Sequence, residues 1–536
     1  MTGLRRLAAA ACALTLLAGC SATGASGNGS EQPVRGGTLR WAIPDDPTTL
    51  NPQLTTQTTI KTLLYNTYDS FFARDASGGI VPALARSYEL VDGGRTYRVR
   101  LATGVHFSNG EVWNADAALT NIAKLRDPAY NRSASIGAIS HVQDVRKIDD
   151  TQFEIVLRAA YSPFLDYLAT VPIIAPGSYA AAEVQAGGPG IAGTGPFILS
   201  KYQRGQSIEF VRNDGYVAPE GARAGVAYLD GVNVKIVPEA AVRTGLLTSA
   251  QTDVISDVSP TDIELFAKDP SYRYVHGVTP GTPYALYFNV SRTPTAEQSV
   301  REALVDSVDV GASVQSVFGN AVQRAWAPST STSVGVHTGR FDNRDHYDPR
   351  RAADLLDKAG WIGRDDQGFR TKDGQRLTVS VYVNAKSENN VTLLQAISGQ
   401  ARQNAGIDLD VRLVDTGTRT ARIGSGDYGA FENSQGGTGG TPLEYLWAPK
   451  QNGGYYNFSN AADPKLAELL EQSWVTDDNA ARATLYSDLQ QFVLDRFYTL
   501  PLYESGDQLA GSARVNGLKL RPYRGGAESW FDVWLG

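Results

Sequence analysis

Cysteine is nearly missing from this chain. Among its 536 residues only Cys12 and Cys20 occur, both close to the N-terminus. The body of the chain can therefore form neither a disulfide nor a cysteine metal cluster, and it has no cysteine nucleophile. A body of this size can be stable on its apolar core alone.

Methionine and histidine are also scarce. The single methionine is the initiator, which excludes an adaptable methionine-rich binding surface. None of the five histidines forms an H-x-x-H or H-x-x-x-H pair, the spacing that indicates a metal site on a helix. We interpret them as surface or capping residues and predict no cofactor. These histidines are His106, His141, His276, His337 and His346.

No stripe of positive charge runs along the chain. The formal net charge is −7 and the isoelectric point is near 5.4, which argues against a nucleic-acid partner. Charged residues make up 20% and hydrophobic residues 42%, the balance of a globular protein. H-E-x-x-H, G-x-S-x-G and phosphate-loop motifs are all missing from the sequence. A surface hydrolase that uses dispersed carboxylates stays open as an alternative of a different class.

The N-terminus has the form of an export signal. Arg5 and Arg6 precede an apolar run over residues 7–18, which is too short to anchor stably across a bilayer. The run ends in Leu-Ala-Gly-Cys, which resembles the lipobox of bacterial lipoproteins, so we expect Cys20 to be lipid-modified and to become the first mature residue. The alternative is a plain secretory signal with a chance cysteine. Residues 21–33, rich in Gly, Ser, Ala and Asn, are predicted to be a flexible tether.

Length and periodicity predict an α/β protein with more than one lobe. A chain of 536 residues exceeds the usual size of a single core. Alternating apolar residues from Leu377 and again from Leu409 flank a helical pattern over residues 391–401, which predicts a βαβ unit in a parallel sheet. Asp348 and Asp463, each followed by proline, are predicted helix N-caps. Residues 60–72 are predicted to be helical.

Residues 93–119 form one recognisable unit. Apolar positions alternate through Tyr97, Val99 and Leu101 after a Gly-Gly turn, Gly-Val-His-Phe-Ser-Asn-Gly follows, and Asn114 is placed to cap a helix. This succession of residues resembles the signature of the family 5 extracytoplasmic solute-binding proteins. That family comprises the peptide, nickel and related receptors of ABC importers.

Further stretches match the family in the expected order, at residues 193–199, 284–290 and 500–503. The resemblance implies a two-lobed, periplasmic-binding-protein-like α/β fold with mixed sheets and a subdomain inserted in the first lobe. It places a hinge strand at residues 284–290. The implied divisions are a signal peptide over 1–20, a tether over 21–35, lobe I over 36–68, 193–285 and 505–536, the inserted subdomain over 69–192, and lobe II over 286–504.

The resemblance also implies a function. The expected protein is the extracytoplasmic receptor of an ABC importer, a monomer held to the cell membrane by its lipid and not an enzyme. It captures a peptide or peptide-like polar solute between its lobes and delivers it to the permease. Metal chelates, opines and oligosaccharides stay open as solutes, because related receptors cover each class.

The implied binding residues fall in three places. They are Thr56, Gln57 and Thr58 after the first strand, Gln435, Gly436, Gly437, Thr438 and Trp447 in a glycine-rich and aromatic stretch over 434–456, and Tyr503 in the return strand. Glycines let the backbone approach a ligand, and aromatic rings supply rigid area with polar tips. Ordinary polar surface loops are the alternative interpretation of the first two stretches.

At one position the sequence departs from the family that it resembles. Peptide receptors of this kind carry an aspartate that pairs with the α-ammonium group of the peptide, and the matching residue here is Thr438. The nearest carboxylates are Glu432 and Glu444. A charge-assisted hydrogen bond contributes about 1.5 to 3 kcal/mol, so this loss counts against free-amine peptides as ligands.

Overall fold

Three β-sheets organise the fold, and each belongs to a different part of the chain. The computed structural model describes residues 32–55, 57–75, 78–130, 136–182, 184–218, 224–385, 387–449, 456–520 and 529–536. Lobe I is built on a seven-stranded sheet, lobe II on a six-stranded sheet and the inserted subdomain on a four-stranded sheet. Cys20 and Thr56 lie outside the described residues.

The strands follow one another along the chain with helices between them. In the described residues they are β1 (Thr38–Ile43), β2 (Phe72–Arg74), β3 (Ile80–Pro82), β4 (Ala85–Val91), β5 (Thr96–Leu101), β6 (Val142–Asp149), β7 (Gln152–Leu157), β8 (Phe197–Gln203), β9 (Ser207–Arg212), β10 (Gly231–Ile236), β11 (Val254–Ser256), β12 (Tyr272–Val278), β13 (Gly281–Phe288), β14 (Gln323–Arg324), β15 (Gly363–Arg364), β16 (Arg370–Lys372), β17 (Gln375–Arg376), β18 (Thr378–Asn384), β19 (Asp408–Val414), β20 (Ala430–Gly436), β21 (Thr499–Glu504), β22 (Gly506–Ser512), β23 (Val515–Asn516) and β24 (Trp534–Leu535).

The α-helices cover the sheets. They are α1 (Thr58–Leu64), α2 (Ala115–Arg126), α3 (Ile136–Ile139), α4 (Phe164–Leu168), α5 (Ala240–Thr248), α6 (Ile263–Lys268), α7 (Gln298–Asp306), α8 (Val310–Phe318), α9 (Pro349–Lys358), α10 (Glu388–Ala405), α11 (Thr416–Ser425), α12 (Thr441–Trp447), α13 (Pro464–Val475) and α14 (Asn479–Asp495). Within the part of the chain that the structure describes, no helix is long and apolar enough to cross a membrane.

The sheet of lobe I has the strand order β12-β22-β11-β1-β10-β9-β8. Its central strand β1 runs parallel to both β10 and β11, so the carboxyl ends of all three meet at one edge of the sheet. The C-terminal Trp530 is fully buried against this sheet, with its ring 5.0 Å from that of Phe210 and 6.1 Å from that of Trp41. The last residues of the chain therefore return to lobe I.

The inserted subdomain has the strand order β4-β5-β7-β6, and it contains the signature unit of the sequence. Tyr97, Val99 and Leu101 are buried as their alternation predicts. Asn114 Oδ1 accepts a hydrogen bond from the backbone N of Ala117 at 3.0 Å, which confirms the predicted N-cap of α2. The strand, turn and capped helix thus form as one unit.

The sheet of lobe II has the strand order β14-β21-β13-β20-β18-β19. Strands β18 and β19 are parallel and are joined by α10, which confirms the predicted βαβ unit. Asp348 and Asp463 cap α9 and α13 through side-chain hydrogen bonds, as predicted from their Asp-Pro pairs.

Two crossovers join the lobes, at residues 278–281 and 504–506, and they lie side by side. Val278 pairs with Gly506 in the lobe I sheet, and Thr279 N donates to Ser505 O at 3.0 Å. A side chain on Gly506 would overlap the carbonyl oxygen of Gly277, so the two chains are in close backbone contact here. The hinge is therefore a two-stranded antiparallel ribbon.

The predicted hinge strand at residues 284–290 was wrong. Strand β13 belongs entirely to lobe II, where it pairs with both β20 and β21, and all eight of its residues are buried. A strand held on both edges cannot be the flexible link. The sheet changes at residues 278–281, so the predicted lobe boundary between 285 and 286 falls inside a strand.

The helix predicted over residues 60–72 is shorter than expected, since α1 ends at Leu64. Asn66 turns its side-chain amide back onto the carbonyl oxygens of Thr62 and Leu63, and its Oδ1 accepts a hydrogen bond from the backbone N of Trp530 at 2.8 Å. A side chain that bonds locally to the backbone competes with helix continuation.

Candidate functional site

The glycine loop, defined as residues 436–440, lies against the first crossover. Gly436 pairs with Gly281, and Gly437 N donates to Pro280 O at 2.9 Å. A side chain on Gly281 would overlap the carbonyl oxygen of Gln435. The loop therefore follows directly from β20 into the region where the two lobes meet.

The inserted subdomain approaches the glycine loop from the opposite side. A side chain on Gly439, whose φ is +60°, would overlap the Asp166 carboxylate of α4. Arg74 forms an ion pair with Asp166 and so holds that carboxylate in place. Only glycine fits at position 439 in this arrangement, because both the backbone conformation and the space exclude a side chain.

A second contact between the inserted subdomain and lobe II is a buried polar cluster. Tyr161 Oη donates a hydrogen bond to Glu444 Oε2, and Glu444 is only 1% exposed. The His141 ring stacks on Tyr161 with centroids 3.8 Å apart, and its Nε2 lies 3.7 Å from Glu444 Oε1. Burial, and then the Glu444 charge, raises the pKa of Tyr161, which therefore keeps its proton as the donor.

Neighbouring groups continue this contact. Ser162 N donates to Trp474 O at 2.7 Å, and the Trp474 ring meets Tyr161 edge-on with centroids 5.8 Å apart. The inserted subdomain is therefore in contact with α13 as well as with the glycine loop, and the two lobes are closed along this side.

The lobe II wall near the hinge carries another buried carboxylate. Glu432 is 5% exposed and accepts a hydrogen bond from Arg419 Nε at 3.0 Å. Burial raises the pKa of Glu432, and the Arg419 guanidinium opposes that rise. Since Glu432 is paired with Arg419 and Glu444 accepts from Tyr161, both carboxylates nearest to Thr438 in the sequence already have partners inside the protein.

Comparison with known proteins assigns this architecture. Residues 79–457, well over half of the chain, match the family model described as bacterial extracellular solute-binding proteins, family 5 Middle. The chain belongs to this family. It is an extracytoplasmic solute-binding protein, as the resemblance of residues 93–119 predicted.

Named relatives of this receptor include two from Escherichia coli (strain K12). The nickel-binding periplasmic protein is 27% identical over 87% of this chain and 88% of its own length. The dipeptide-binding protein is 25% identical over 86% of this chain and 88% of its own length. Among solved structures, the oligopeptide-binding protein AppA from Bacillus subtilis in complex with a nonapeptide has a TM-score of 0.80 at 19% identity, covering 94% of this chain and all of its own. This likeness confirms the predicted two-lobed α/β fold.

Of the first predicted group of site residues, the receptor places Gln57 directly before α1. The side chain of Gln57 forms hydrogen bonds within lobe I: its Oε1 accepts one from Thr48 N at 2.7 Å, and its Nε2 donates one to Asp46 O at 3.2 Å. Thr56 and the side chain of Thr58 lie outside what the structure describes. The predicted ligand contacts of these three residues stay predictions.

The second predicted group divides between the interlobe region and the core. Gln435, Gly436, Gly437 and Thr438 lie at the first crossover, and Gln435 N donates to Thr282 Oγ1 at 2.9 Å. Trp447 instead lies in the lobe II core, 1% exposed, with its ring beside those of Tyr287 and Tyr498. This position counts against a ligand contact, because neighbouring aromatic rings enclose the indole.

Tyr503, the last predicted residue, lies at the end of β21 next to the second crossover. Its Oη donates to Asn390 Oδ1 at 2.8 Å, and its ring packs 5.0 Å from that of Tyr284 and 4.7 Å from that of Phe318. The hydroxyl is thus held near the hinge on the lobe II side.

Sequence reasoning missed His141 and Tyr161, which carry the contact across the lobes. A lone histidine without a partner at metal-ligand spacing gives no signal, and its partner Glu444 lies 303 positions further along the chain. The structure also gives no support to a metal cluster: in its described residues no group of three or more His, Cys, Asp or Glu side chains could hold a metal ion.

Replacing Tyr161 with phenylalanine is expected to lower solute affinity about tenfold. In the closed arrangement the variant leaves Glu444 buried without its hydroxyl donor, which costs about 1 to 3 kcal/mol, whereas in an open state water can replace that donor. Calorimetric titration of the purified receptor measures the loss. Tyr97→Phe is the matched control, because the hydrogen bond of the Tyr97 hydroxyl, 3.5 Å to Tyr161 O, lies within the inserted subdomain. Equal losses in both variants would contradict the interlobe role of Tyr161.

Proposed function

We propose that this protein is the receptor of an ABC importer, and that it captures a peptide or peptide-like polar solute between its lobes and delivers it to the permease. The observation that carries the proposal is the position of the glycine loop. Backbone at residues 436–440 contacts the first crossover on one side and the Asp166 carboxylate of the inserted subdomain on the other. A solute bound beside the glycine loop would touch both lobes at once.

Closure of the lobes would then be driven by the solute itself. A ligand shifts a two-state equilibrium only by its difference in affinity for the two states. A solute that contacts Tyr503 or the glycine loop together with lobe I gains those contacts only when the lobes close. The ribbon at residues 278–281 and 504–506 lets the lobes rotate without breaking either sheet, which is hinge closure.

The proposal extends to where the receptor works. The apolar run at residues 7–18 and the Leu-Ala-Gly-Cys sequence support export and a lipid on Cys20, with residues 21–33 as the tether between membrane and body. The receptor would act as a monomer at the outer face of the membrane and meet its permease there. It would bind its solute without changing it, so it is not an enzyme in this proposal.

The nickel-binding relative supports a metal chelate as a second candidate solute. Because the described residues offer no cluster of metal ligands, the metal would have to arrive inside an organic chelator that supplies most of its ligands. Such a chelate is also a compact polar solute, and it would occupy the same space between the lobes.

Thermal denaturation of the receptor without residues 1–20, with peptides, sugars, amino-acid conjugates and nickel or iron chelates, tests the proposal. A solute present at about a hundred times its dissociation constant should stabilise the folded state by about 2.7 kcal/mol. A saturable shift with the solute recovered unchanged is the expected result. Consumption of the solute, or no shift with any class, would contradict the receptor function.

A further inference from the structure

A cavity of about 270 Å³ opens in lobe I beside the second crossover. It lies at the carboxyl ends of β1 and β11, the edge of an α/β sheet at which ligands are usually bound. Helix α1 forms another of its walls. The lining residues are Pro44, Asp45, Thr59, Thr62, Leu63, Ser256, Asp257, Gly506, Asp507, Gln508 and Leu509.

Asp507 is the unusual residue of this wall. The residue as a whole is half-buried, but its Oδ2 is enclosed and has no hydrogen-bond partner in the described residues. Burial, and then repulsion from Asp257, raises the pKa of Asp507 to about 7. A buried oxygen without a donor is costly to the folded state, so the structure keeps an acceptor here at the expense of stability.

The cavity also carries an excess of negative charge. Asp45 and Asp257 line it together with Asp507. The buried Arg243 is the neighbouring cation, and it directs its guanidinium at backbone carbonyl oxygens, among them Val237 O at 2.8 Å and Asp257 O at 2.8 Å. Its contact with the Asp257 carboxylate is a long one of 3.5 Å, and it gives no donor to the enclosed Oδ2 of Asp507.

We infer that this cavity binds the cationic end of the solute, an ammonium or guanidinium group, with the Asp507 carboxylate as its acceptor. The inference rests on the proposed receptor function and names the solute class. Thr59 and Thr62, which line the same cavity, provide hydroxyl groups that can accept further N–H donors. Pockets for whole small molecules begin at about 300 Å³, so a cavity of about 270 Å³ suits a head group while the rest of the solute extends into the interlobe region.

The position of Asp507 connects this site with the hinge. It immediately follows Gly506 of the second crossover, and it pairs with Gly277, which lies next to the first crossover. The adjacent Gln508 donates from Nε2 to Ala321 O in lobe II at 3.0 Å. A cation on Asp507 is thus held beside the ribbon that connects the lobes.

Titration of the mature receptor with solutes in charge-matched pairs tests the inference. The probes are arginine with citrulline, lysine with norleucine, and the blocked tripeptide acetyl-Ala-Lys-Ala-amide with its norleucine counterpart. The cationic member of at least one pair is expected to bind at least tenfold more tightly than its neutral match. Neutral members that bind as tightly as the cationic ones, or a cation preference matched by sodium ions alone, would overturn the inference.

Asp507→Asn is expected to lower affinity for the cationic solute about tenfold to hundredfold and to leave neutral solutes unchanged. Asp214→Asn is the matched control, because Asp214 is 77% exposed and follows β9 at the opposite edge of the lobe I sheet. Thermal stability at pH 8 serves as the folding check and should be equal or higher in Asp507→Asn, since the variant removes a buried charge. Asp257→Asn, with an exposed carboxylate, should give a smaller loss.

The two proposals fail in different ways. If neutral solutes bind saturably and Asp507→Asn binds every probe as the wild type does, the cation site is overturned and the receptor function stands. If no peptide, chelate, sugar or conjugate binds the wild type at all, the receptor function fails and the inference fails with it.

Discussion

Gly439→Ala should lower the affinity of the receptor for its solute about tenfold to hundredfold. The new methyl group would overlap the Asp166 carboxylate, which Arg74 holds in place by an ion pair. Overpacking of this kind costs about 1 to 3 kcal/mol, and the cost falls on the closed state alone because Gly439 and Asp166 belong to different lobes. Calorimetric titration gives the affinity, and small-angle scattering should show a larger radius of gyration at saturating solute.

Gly335→Ala is the control for this experiment. Gly335 also lies in lobe II with a left-handed φ of +72°, but a side chain there would meet nothing within 4 Å. Both variants therefore carry the same kind of backbone strain, about 1 to 2 kcal/mol against the folded state, and only Gly439→Ala adds a clash between lobes. Similar affinities in the two variants would show that closure does not bring the glycine loop against the inserted subdomain.

Trp530→Ala should destabilise lobe I by about 3 to 5 kcal/mol, the usual loss when a buried tryptophan is truncated. Its side chain is 0% exposed and packs edge-on against Phe197 and Phe210, with ring centroids 5.6 and 5.0 Å away. The truncation leaves a cavity that rigid β-strands on one side cannot fill. Urea denaturation followed by tryptophan fluorescence and by limited proteolysis of lobe I measures the loss.

Trp326→Ala provides the comparison, because Trp326 is half-buried in lobe II and its main partner is the Arg324 guanidinium at 4.6 Å. Its truncation should cost about 1 kcal/mol, near the value of a cation–π contact and partial burial. Equal losses at both positions would mean that the C-terminal residues do not complete the lobe I core.

Elements that are specified by short stretches of sequence could be predicted. Strand β5 buries the alternating Tyr97, Val99 and Leu101, Asn114 caps its helix with its own side chain, and the β18–α10–β19 unit repeats its apolar pattern locally. In each case the residues that decide the structure are neighbours along the chain. Hydrophobic periodicity and capping motifs depend only on such neighbours, so they can be recognised directly in the sequence.

Features decided by distant residues could not be predicted in this way. Helix α1 ends early because Asn66 also bonds Trp530, which is 464 positions away. The aromatic and glycine pattern around Trp447 is the same whether its ring faces a ligand or the core, and only the packing of Tyr287 and Tyr498 decides between them. Residues 272–288 pass from the sheet of lobe I into the sheet of lobe II, and both strands are rich in hydrophobic residues. The sequence therefore does not mark where the first sheet ends.

The candidate site shows the same division. The glycine loop was predicted as part of the site from its composition and its match to the family. Asp507 carries no local motif, and its importance comes from a cavity wall to which α1, β11 and β22 contribute together. Burial of one carboxylate oxygen without a donor is a property of that assembly, which no stretch of sequence contains.

The paired crossovers have a consequence for the membrane partner. Two separate linkers would let the lobes slide, twist and bend independently, but chains hydrogen-bonded from Val278 to Gly506 and from Thr279 to Ser505 move together. The lobes then open and close about one hinge axis, and their relative orientation is described by a single angle. A permease that contacts both lobes can distinguish the solute-bound receptor from the empty one by that angle alone.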